Sequence, residues 1–316
     1  MMYYGARGSK RTLNAGWEGM AKFLFSGLNL ALATPFDDAG RLDFSAIEQN
    51  LEKFISAGVS SFVVSSGTGM HVYLSREESH DLVERSCRIA HGRAKVIVQT
   101  SALVVEEVLE RTRHASGCGA DGVMVLPPFF EGPTSDAEIV DFYAGVAAIG
   151  LPVIGYNVPQ AVGVAITPAL LSKLSAVPGF HAVKDSSGDL ARHADLIRTG
   201  HGVMNGADPL ALYALYAGCG GLIWGGANFA PRTCLALVAA AETGRWDDAR
   251  QIWRKLEPAM SLIWERDYVK TVYAAADLMG YGAGVPRRPL SRLAPERMDM
   301  LRAALRDLAE LETAGG

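Results

Sequence analysis

A lysine within an apolar segment is the residue of this chain with the clearest chemical potential. Lys184 lies in the run FHAVKD at 180–185, which is typical of a buried strand and is followed by the turn SSG at 186–188. Because a charged ammonium loses its water in such a strand, burial favours the neutral amine. A neutral amine is a nucleophile toward ketones and forms imines with them. A lysine that reaches from the strand end into solvent is the alternative.

A tyrosine on the preceding predicted strand can assist that amine. Tyr156 lies in the run GYNVP at 155–159 and shares the alternation phase of Ile154, so both side chains face the same way. Neighbouring strands lie about 4.8 Å apart, which places the phenol beside Lys184. A phenol beside an amine relays protons to a forming carbinolamine. A core tyrosine bonded to a backbone group is the alternative.

Two glycine-rich strand ends are the predicted substrate contacts. The first is the run SSGTGM at 65–70, in which glycines let backbone N–H groups turn toward an anion and the threonine hydroxyl adds a donor. We expect Ser66, Gly67, Thr68 and Gly69 to bind a carboxylate, with an ordinary turn as the alternative. The second is the run GGLIWGG at 220–226, where glycines leave room for a ligand and Ile223 is predicted to contact it.

These residues must be positioned by the elements around them, which alternate β-rich and helical runs eight times before residue 244. The predicted strands are 28–35, 61–66, 95–101, 122–127, 152–158, 180–186, 201–206 and 220–226. The predicted helices are 44–57, 76–90, 105–116, 136–148, 168–176, 190–199, 209–217 and 231–243. Ser75, Thr167 and Asp208 indicate helix starts, and the glycines at 58, 92, 150, 218 and 244 indicate helix ends.

Eight such repeats favour an α/β fold, a (β/α)8 TIM barrel, over an open sheet. We expect the barrel to span residues 26–244 and a C-terminal helical appendage to span 245–316, with helices at 245–265, 268–279 and 295–311. Residues 1–25 include a stretch without periodicity and are predicted to be a disordered extension, with Met20 as an alternative start. The apolar run 23–33 also resembles a signal peptide, but it continues into TPFD at 34–37, which favours a strand.

The bulk composition restricts the class of protein. The 316 residues carry a net charge of −4 with no basic cluster, which argues against a nucleic-acid or anionic-membrane partner. No apolar run has the roughly 20 residues that span a bilayer. Four widely spaced cysteines fit a cytoplasmic location. The seven histidines form no zinc motif, so we expect neither metal nor cofactor. His71 is a weaker candidate for contact with the substrate, with a surface histidine favoured.

Five segments together resemble the dihydrodipicolinate synthase / N-acetylneuraminate lyase family, from about residue 26 to the C-terminus. They are TPF at 34–36, SGTG at 66–69, YNVP at 156–159, VKDSSG at 183–188 and RPL at 288–290. The resemblance implies a homotetrameric Schiff-base TIM barrel that acts on pyruvate or another 2-oxo acid. It also implies that Lys184 forms the imine, that Tyr156 relays protons, and that Gly67 and Thr68 hold the carboxylate.

The sequence departs from the synthases of that family at three positions. The hydroxyl residue that links two tyrosines in the synthase relay is Gly67, and the second tyrosine falls on Phe130. Phe130 is still predicted to lie at the substrate. The synthase arginine two residues after the YNxP motif falls on Ala161. The GTG turn is more similar to the sugar-acid dehydratase branch (5-dehydro-4-deoxyglucarate dehydratase), but Met70 stands where that branch has a glutamate.

The favoured hypothesis is therefore a lyase that forms a Schiff base with pyruvate or a sugar-derived 2-oxo acid, followed by aldol cleavage, condensation or dehydration. The protonated imine serves as the electron sink. One alternative is 4-hydroxy-tetrahydrodipicolinate (dihydrodipicolinate) synthase, which condenses pyruvate with aspartate semialdehyde. The second alternative is a barrel that senses 2-oxo acids without catalysis, although a sensor has little need of a buried amine.

Overall fold

Eight parallel strands close into a barrel in which each strand pairs with the next and the last pairs with the first. The structure is a computed structural model that describes residues 23–133 and 135–313. The strands are β1 (Gly27–Ala31), β2 (Ser61–Val64), β3 (Lys95–Gln99), β4 (Gly122–Val125), β5 (Val153–Asn157), β6 (Phe180–Asp185), β7 (Val203–Asn205) and β8 (Gly221–Trp224). The TIM-barrel prediction is confirmed.

Helices follow every strand and cover the outside of the barrel. They are α1 (Phe44–Ser56), α2 (Arg76–Ala90), α3 (Val105–Gly117), α4 (Asp136–Ala147), α5 (Pro159–Val162), α6 (Pro168–Leu174), α7 (Leu190–Ile197), α8 (Ala211–Ala217) and α9 (Pro231–Glu242). Three further helices follow, α10 (Trp246–Glu265), α11 (Tyr268–Leu278) and α12 (Pro295–Thr313). The predicted C-terminal helices are therefore present.

Strand alternation separates two apolar cores. Inward-facing residues from all eight strands form a cluster inside the barrel that includes Ala31, Ile97, Ile154, Ala182 and Ile223. The outward-facing residues pack against the helices in a second, larger cluster. Because side chains alternate along a strand, the residue two positions beyond an inner-core residue also faces inward. This alternation decides which side chains reach the barrel mouth, the end of the barrel where the carboxyl ends of the strands lie.

All eight predicted strands are confirmed. Each observed strand ends before its predicted last residue, because the chain leaves the sheet as a loop at that point. Ser75 caps α2 in a capping box with Glu78, and Thr167 caps α6, as expected. Asp208 lies at a helix start, as expected. It begins a short 3-10 turn that leads into α8, and its side chain accepts hydrogen bonds from the backbone N–H of Gly226, which follows β8, and from Tyr268 of α11.

The last helix is attached to the barrel by a buried carboxylate. Glu312 of α12 accepts hydrogen bonds from the backbone N–H groups of Arg232 and Thr233 and from the Thr233 hydroxyl, at 3.2, 2.8 and 2.6 Å. Those N–H groups belong to the first turn of α9, which lacks a side-chain cap of its own. The C-terminal helix α12 thus supplies the hydrogen-bond acceptor that the N-terminus of α9, the helix after β8, lacks.

Residues 1–22 lie outside the described residues, and the structure begins at Phe23, two residues before the buried Phe25. The division into an extension, a barrel and an appendage stays a proposal. Among the described residues, none of the helices has both the length and the apolar character needed to cross a bilayer.

Candidate active site

Lys184 lies inside the barrel mouth, two residues beyond the inner-core residue Ala182 on β6. Only 5% of its surface is exposed. In the strand register it pairs with Tyr156 of β5 on one side and with Met204 of β7 on the other. The Nζ atom lies over the Tyr156 ring, 4.2 Å from the ring centroid. The predicted pair of amine and phenol is therefore brought together, with the amine against the face of the ring.

A glycine on the neighbouring strand end makes room for the lysine chain. A Cβ atom built on Gly206, which directly follows β7, would collide with Lys184 Cε and would lie 3.0 Å from Lys184 Cγ. It would also collide with the hydroxyl of Ser186. The lysine consequently runs across the space that any other residue at position 206 would fill.

The residue after each member of this pair faces outward and has a structural task. Asn157 Nδ2 donates a hydrogen bond to Asp185 Oδ1 at 2.8 Å, and Asn157 Oδ1 accepts one from the backbone N–H of Ile166. The other oxygen of Asp185 lies 3.1 Å from His193 Nδ1 on α7. The dipeptides Tyr-Asn and Lys-Asp thus each place one side chain in the barrel mouth and the next one on the outer side of the strands, where it forms hydrogen bonds with neighbouring segments.

The predicted carboxylate cradle is a tight turn after β2. Ser66, Thr68 and Met70 are buried, whereas Gly67 is exposed and a Cβ atom built on it would meet no heavy atom within 4 Å. A Cβ atom on Gly69 would lie only 2.8 Å from the carbonyl oxygen of Leu32. Glycine is therefore required at position 69 by close approach to the segment that follows β1, whereas position 67 opens into free space.

A carboxyl–phenol pair that sequence analysis missed lies next to this cradle. Asp208 is fully buried and accepts hydrogen bonds from the backbone N–H of Gly226 at 2.8 Å and from the hydroxyl of Tyr268 at 3.0 Å. A Cβ atom on Gly225 would collide with that hydroxyl and would lie 3.3 Å from Thr68 Oγ1. Tyr268, the first residue of α11, therefore extends from the C-terminal helices to the end of β8.

Burial dominates the electrostatics of this pair. It raises the pKa of Asp208 to about 6, although the hydrogen bonds from Gly226 and Tyr268 and the charge of Lys184 act in the opposite direction. Burial and the neighbouring Asp208 charge raise the pKa of Tyr268 well above its usual value. The only signal of this carboxyl–phenol pair in the sequence was the glycine pair 225–226 after β8, because paired glycines indicate close approach by another group.

His71 lies at the mouth as well, which corrects the favoured interpretation as a surface histidine. Its ring nitrogens lie 3.1 and 3.3 Å from Nε2 of Gln99, which faces inward on β3. Burial, together with the charge of Arg111, lowers the pKa of His71 to about 4. The imidazole is therefore neutral at physiological pH.

The remaining predicted contacts occupy different environments. Ile223 is 1% exposed and belongs to the inner barrel core. Phe130 is 78% exposed, in a loop after β4 where its φ angle is 58°. Ala161 is exposed in the short helix α5. The roles of Ile223 and Phe130 in substrate binding stay predictions. Over residues 23–133 and 135–313, no group of three or more His, Cys, Asp or Glu side chains is arranged to hold a metal ion.

Comparisons with known proteins show which family the chain resembles. The model of the dihydrodipicolinate synthetase family matches residues 24–308. A 4-hydroxy-tetrahydrodipicolinate synthase from Methanospirillum hungatei is 32% identical over 288 residues, which are 89% of this chain and 99% of the relative. The synthase of the same name from Exiguobacterium sibiricum is 34% identical over 273 residues, 85% of this chain and 93% of the relative.

Solved structures show the same similarity. A dihydrodipicolinate synthase from Aquifex aeolicus superimposes with a TM-score of 0.85 at 29% identity, covering 90% of this chain and 98% of the other. YagE, a prophage protein of the dihydrodipicolinic acid synthase family from E. coli K12 solved in complex with pyruvate, gives 0.85 at 26% identity, covering 90% and 99%. The chain belongs to the dihydrodipicolinate synthetase family and is a lyase.

Proposed function

We propose that this chain forms a Schiff base between Lys184 and the C2 ketone of pyruvate or another 2-oxo acid. The observation that carries the proposal is a buried lysine at the barrel mouth, with its amine against Tyr156 and its chain in the space left by Gly206. In the proposed reaction the amine attacks C2, the carbinolamine loses water, and the protonated imine accepts the electron pair released or supplied at C3.

The tyrosine and the turn after β2 complete the proposed site. Tyr156 would exchange protons with the carbinolamine hydroxyl as that group leaves as water. Backbone N–H groups around Gly67, together with the Thr68 hydroxyl, would bind the substrate carboxylate. Two structural relatives, YagE and a synthase from Acinetobacter baumannii, were solved with pyruvate, which supports a 2-oxo acid as the ligand class.

Reductive trapping tests the proposal directly. We expect borohydride with pyruvate to add the mass of the reduced adduct to the peptide that contains Lys184. Lys184→Ala should remove the adduct and the activity, and Lys184→Arg should do the same because a guanidinium stays protonated. Lys173→Arg is the matched control, since Lys173 is an exposed lysine paired with Asp136 on the outer helices. An adduct on another lysine, or none with any 2-oxo acid, would refute the mechanism.

The proposal includes two candidates for the substrate on which the enzyme acts. The names of the relatives favour 4-hydroxy-tetrahydrodipicolinate synthase over the more general interpretation, since relatives at 32% and 34% identity carry that name. The substitutions at Gly67, Phe130 and Ala161 favour a sugar-derived 2-oxo acid. The loss of an arginine that pairs with a carboxylate costs about 1.5–3 kcal/mol, or roughly 10- to 150-fold in binding.

A direct comparison of turnover decides between these candidates. From the three substitutions we expect slow condensation of pyruvate with aspartate semialdehyde, and faster turnover of a sugar-derived 2-oxo acid. Comparable or faster turnover with aspartate semialdehyde would establish the synthase candidate instead. Failure of imine formation with every 2-oxo acid would favour the sensing barrel, which the buried amine and membership in a family of lyases both oppose.

We further propose a homotetramer in the cytoplasm. Exposed apolar side chains on α7 and α8 support association, because Leu190, Tyr213 and Tyr216 are 38%, 50% and 70% exposed and large exposed apolar patches mark interaction sites. The four cysteines are free, which supports a reducing compartment.

A further inference from the structure

A glutamine and a histidine meet at the barrel mouth in an arrangement that imine formation does not use. Gln99 is the last residue of β3 and faces inward, two positions beyond Ile97 of the inner core. Its side chain is 1% exposed, and its Nε2 atom lies 3.1 Å from Nε2 and 3.3 Å from Nδ1 of His71. His71 follows the cradle turn, and the charge of Lys184 contributes to the lowered pKa of its ring. The pair therefore borders the space in which the substrate is expected.

The two distances place the amide over the face of the imidazole ring. A donor in the ring plane approaches one nitrogen along its lone pair and is then much farther from the other nitrogen. A point in the plane that is nearly equidistant from both nitrogens would overlap the Cε1–H group between them. Gln99 therefore holds the ring through a contact between its N–H group and the π face. The positions in the ring plane, where the nitrogens bind partners most strongly, stay uncovered.

No other hydrogen bond occupies those positions within residues 23–133 and 135–313. The Ser66 carbonyl, which belongs to the same turn, accepts the backbone N–H of His71 at 3.2 Å. Burial lowers the pKa of the ring to about 4, so near neutral pH the ring carries one N–H donor and one lone pair. A hydroxyl group both donates and accepts, so it can bind either nitrogen.

The amide of Gln99 is costly unless it has a task. Its Oε1 atom is buried without a hydrogen-bond partner among the described residues, and an unpaired buried acceptor destabilises a protein. Leucine has a similar size and would fill the same space without that cost. The glutamine is therefore better explained by its contact with the face of His71, which fixes the orientation of the ring.

We propose that His71, oriented by Gln99, binds a hydroxyl group on the substrate beyond C3, so that the enzyme prefers hydroxylated 2-oxo acids. The inference rests on the proposed function, in which the cradle binds the C1 carboxylate, Lys184 binds C2 and the reacting electron pair lies at C3. C4 is then the first carbon that can carry a group for recognition. A neutral imidazole has no charge to pair with an ionic group, and Arg111, whose charge acts on His71, is already paired with Glu107 at 2.8 Å. His71 is thus a specificity-determining residue and Gln99 a positioning residue.

Two acids of equal length isolate this recognition from imine formation. 2-Oxohexanoate and 4,5,6-trihydroxy-2-oxohexanoate share the carboxylate, the ketone and the carbon chain, and differ only in their hydroxyl groups. For each acid we would measure the concentration that half-saturates adduct formation on Lys184 with cyanoborohydride near neutral pH. Adducts of the intact acid and of any pyruvate fragment are counted together. In the unmodified enzyme the hydroxylated acid should half-saturate at a concentration about tenfold lower, since the other acid leaves the ring nitrogens unpaired.

Two variants and a control complete the test. His71→Phe keeps a ring face for Gln99 but removes both nitrogens, so the preference for the hydroxylated acid should fall about tenfold. Gln99→Leu should lower the preference at least about threefold while the midpoint of denaturation stays equal or rises, because an unpaired amide is removed. A purely structural role of Gln99 would instead lower that midpoint. His91→Asn is the control, since His91 is exposed at the end of α2, and it should retain the preference.

The outcomes separate this inference from the proposed function. Equal half-saturation by the two acids in the unmodified enzyme would refute the inference, as would an unchanged preference in His71→Phe. An unchanged preference in Gln99→Leu would refute the positioning role. In each of these cases an adduct on Lys184 leaves the proposed function intact. Absence of adduct from both acids and from pyruvate would refute the proposed function and the inference with it.

Discussion

Gly206→Ala tests whether the path of the lysine chain controls the reaction. The added Cβ atom would lie 3.0 Å from Lys184 Cγ and would overlap Lys184 Cε. Carbon atoms prefer separations of about 3.5–4.0 Å, so Lys184 Cγ must move by roughly 0.5–1 Å, and Cε, which lies closer to the added atom, must move farther. A displacement of about 1 Å at a reacting group costs on the order of 10²-fold in rate. We therefore expect imine formation to slow about 100-fold.

The assay must separate displacement of the amine from loss of the fold. The overlap with Ser186 and Lys184 is an overpacking that costs about 1–3 kcal/mol of unfolding free energy, so chemical denaturation should show a folded but destabilised protein. Gly145→Ala is the control, because a Cβ atom at that position of α4 meets no heavy atom within 4 Å. The control should match the unmodified enzyme in trapping rate and be at least as stable.

A clear result would refute this reasoning. If folded Gly206→Ala traps pyruvate within threefold of the unmodified rate, the path of the Lys184 chain past Gly206 does not limit the chemistry. If the variant is unfolded at assay temperature, the same question can be asked with Ser186→Ala added, which removes one of the two overlaps.

Four further measurements test other features of the protein. Dialysis against a chelator should leave the reaction rate intact, because the imine supplies the electron sink; recovery of a lost rate by zinc or magnesium would overturn this. Burial lowers the pKa of His71 to about 4, so between about pH 6.5 and 4 the unfolded state binds a proton that the folded state does not, and the free energy of unfolding decreases as the pH is lowered through this range. His71→Gln should flatten this part of the profile of stability against pH, and an unchanged profile would contradict the prediction. Tyr273→Phe should cost about 1–3 kcal/mol of unfolding free energy, since it leaves the buried backbone groups of Thr34 without their partner; a midpoint equal to that of the unmodified protein would contradict it. Light scattering should give four times the 33.7 kDa chain mass, and a value near 34 kDa would exclude the homotetramer.

The proximity of Lys184 and Tyr156 could be predicted from sequence because its signals are local. The runs around Tyr156 and Lys184 show both the strand character and the alternation that direct the side chains inward. Strand register then follows from the order of β–α units, since neighbours in a barrel are consecutive in sequence. The general fold and the position of Lys184 beside Tyr156 therefore required no information about distant contacts.

The carboxyl–phenol pair could not be predicted because its members are distant in sequence. Asp208 occupies a position that is typical of a helix start, and Tyr268 occupies one of three helices that follow the barrel repeat. Neither residue carries a periodic signal that distinguishes the site from the core. His71 was misjudged for a related reason, since its partner Gln99 comes from the next strand. Only the tertiary fold shows that these side chains meet.

The attachment of Glu312 to α9 has a consequence for the order of events during synthesis. A ribosome makes the chain from its N-terminus, so α9 emerges well before the carboxylate that accepts hydrogen bonds from its first turn. Until then the exposed N–H groups of that turn must bond to water. The eighth barrel unit therefore acquires its final hydrogen bonds only after Glu312 has left the ribosome. A second protein fused after residue 316 would therefore be attached close to Glu312, the residue that accepts the hydrogen bonds from the first turn of α9.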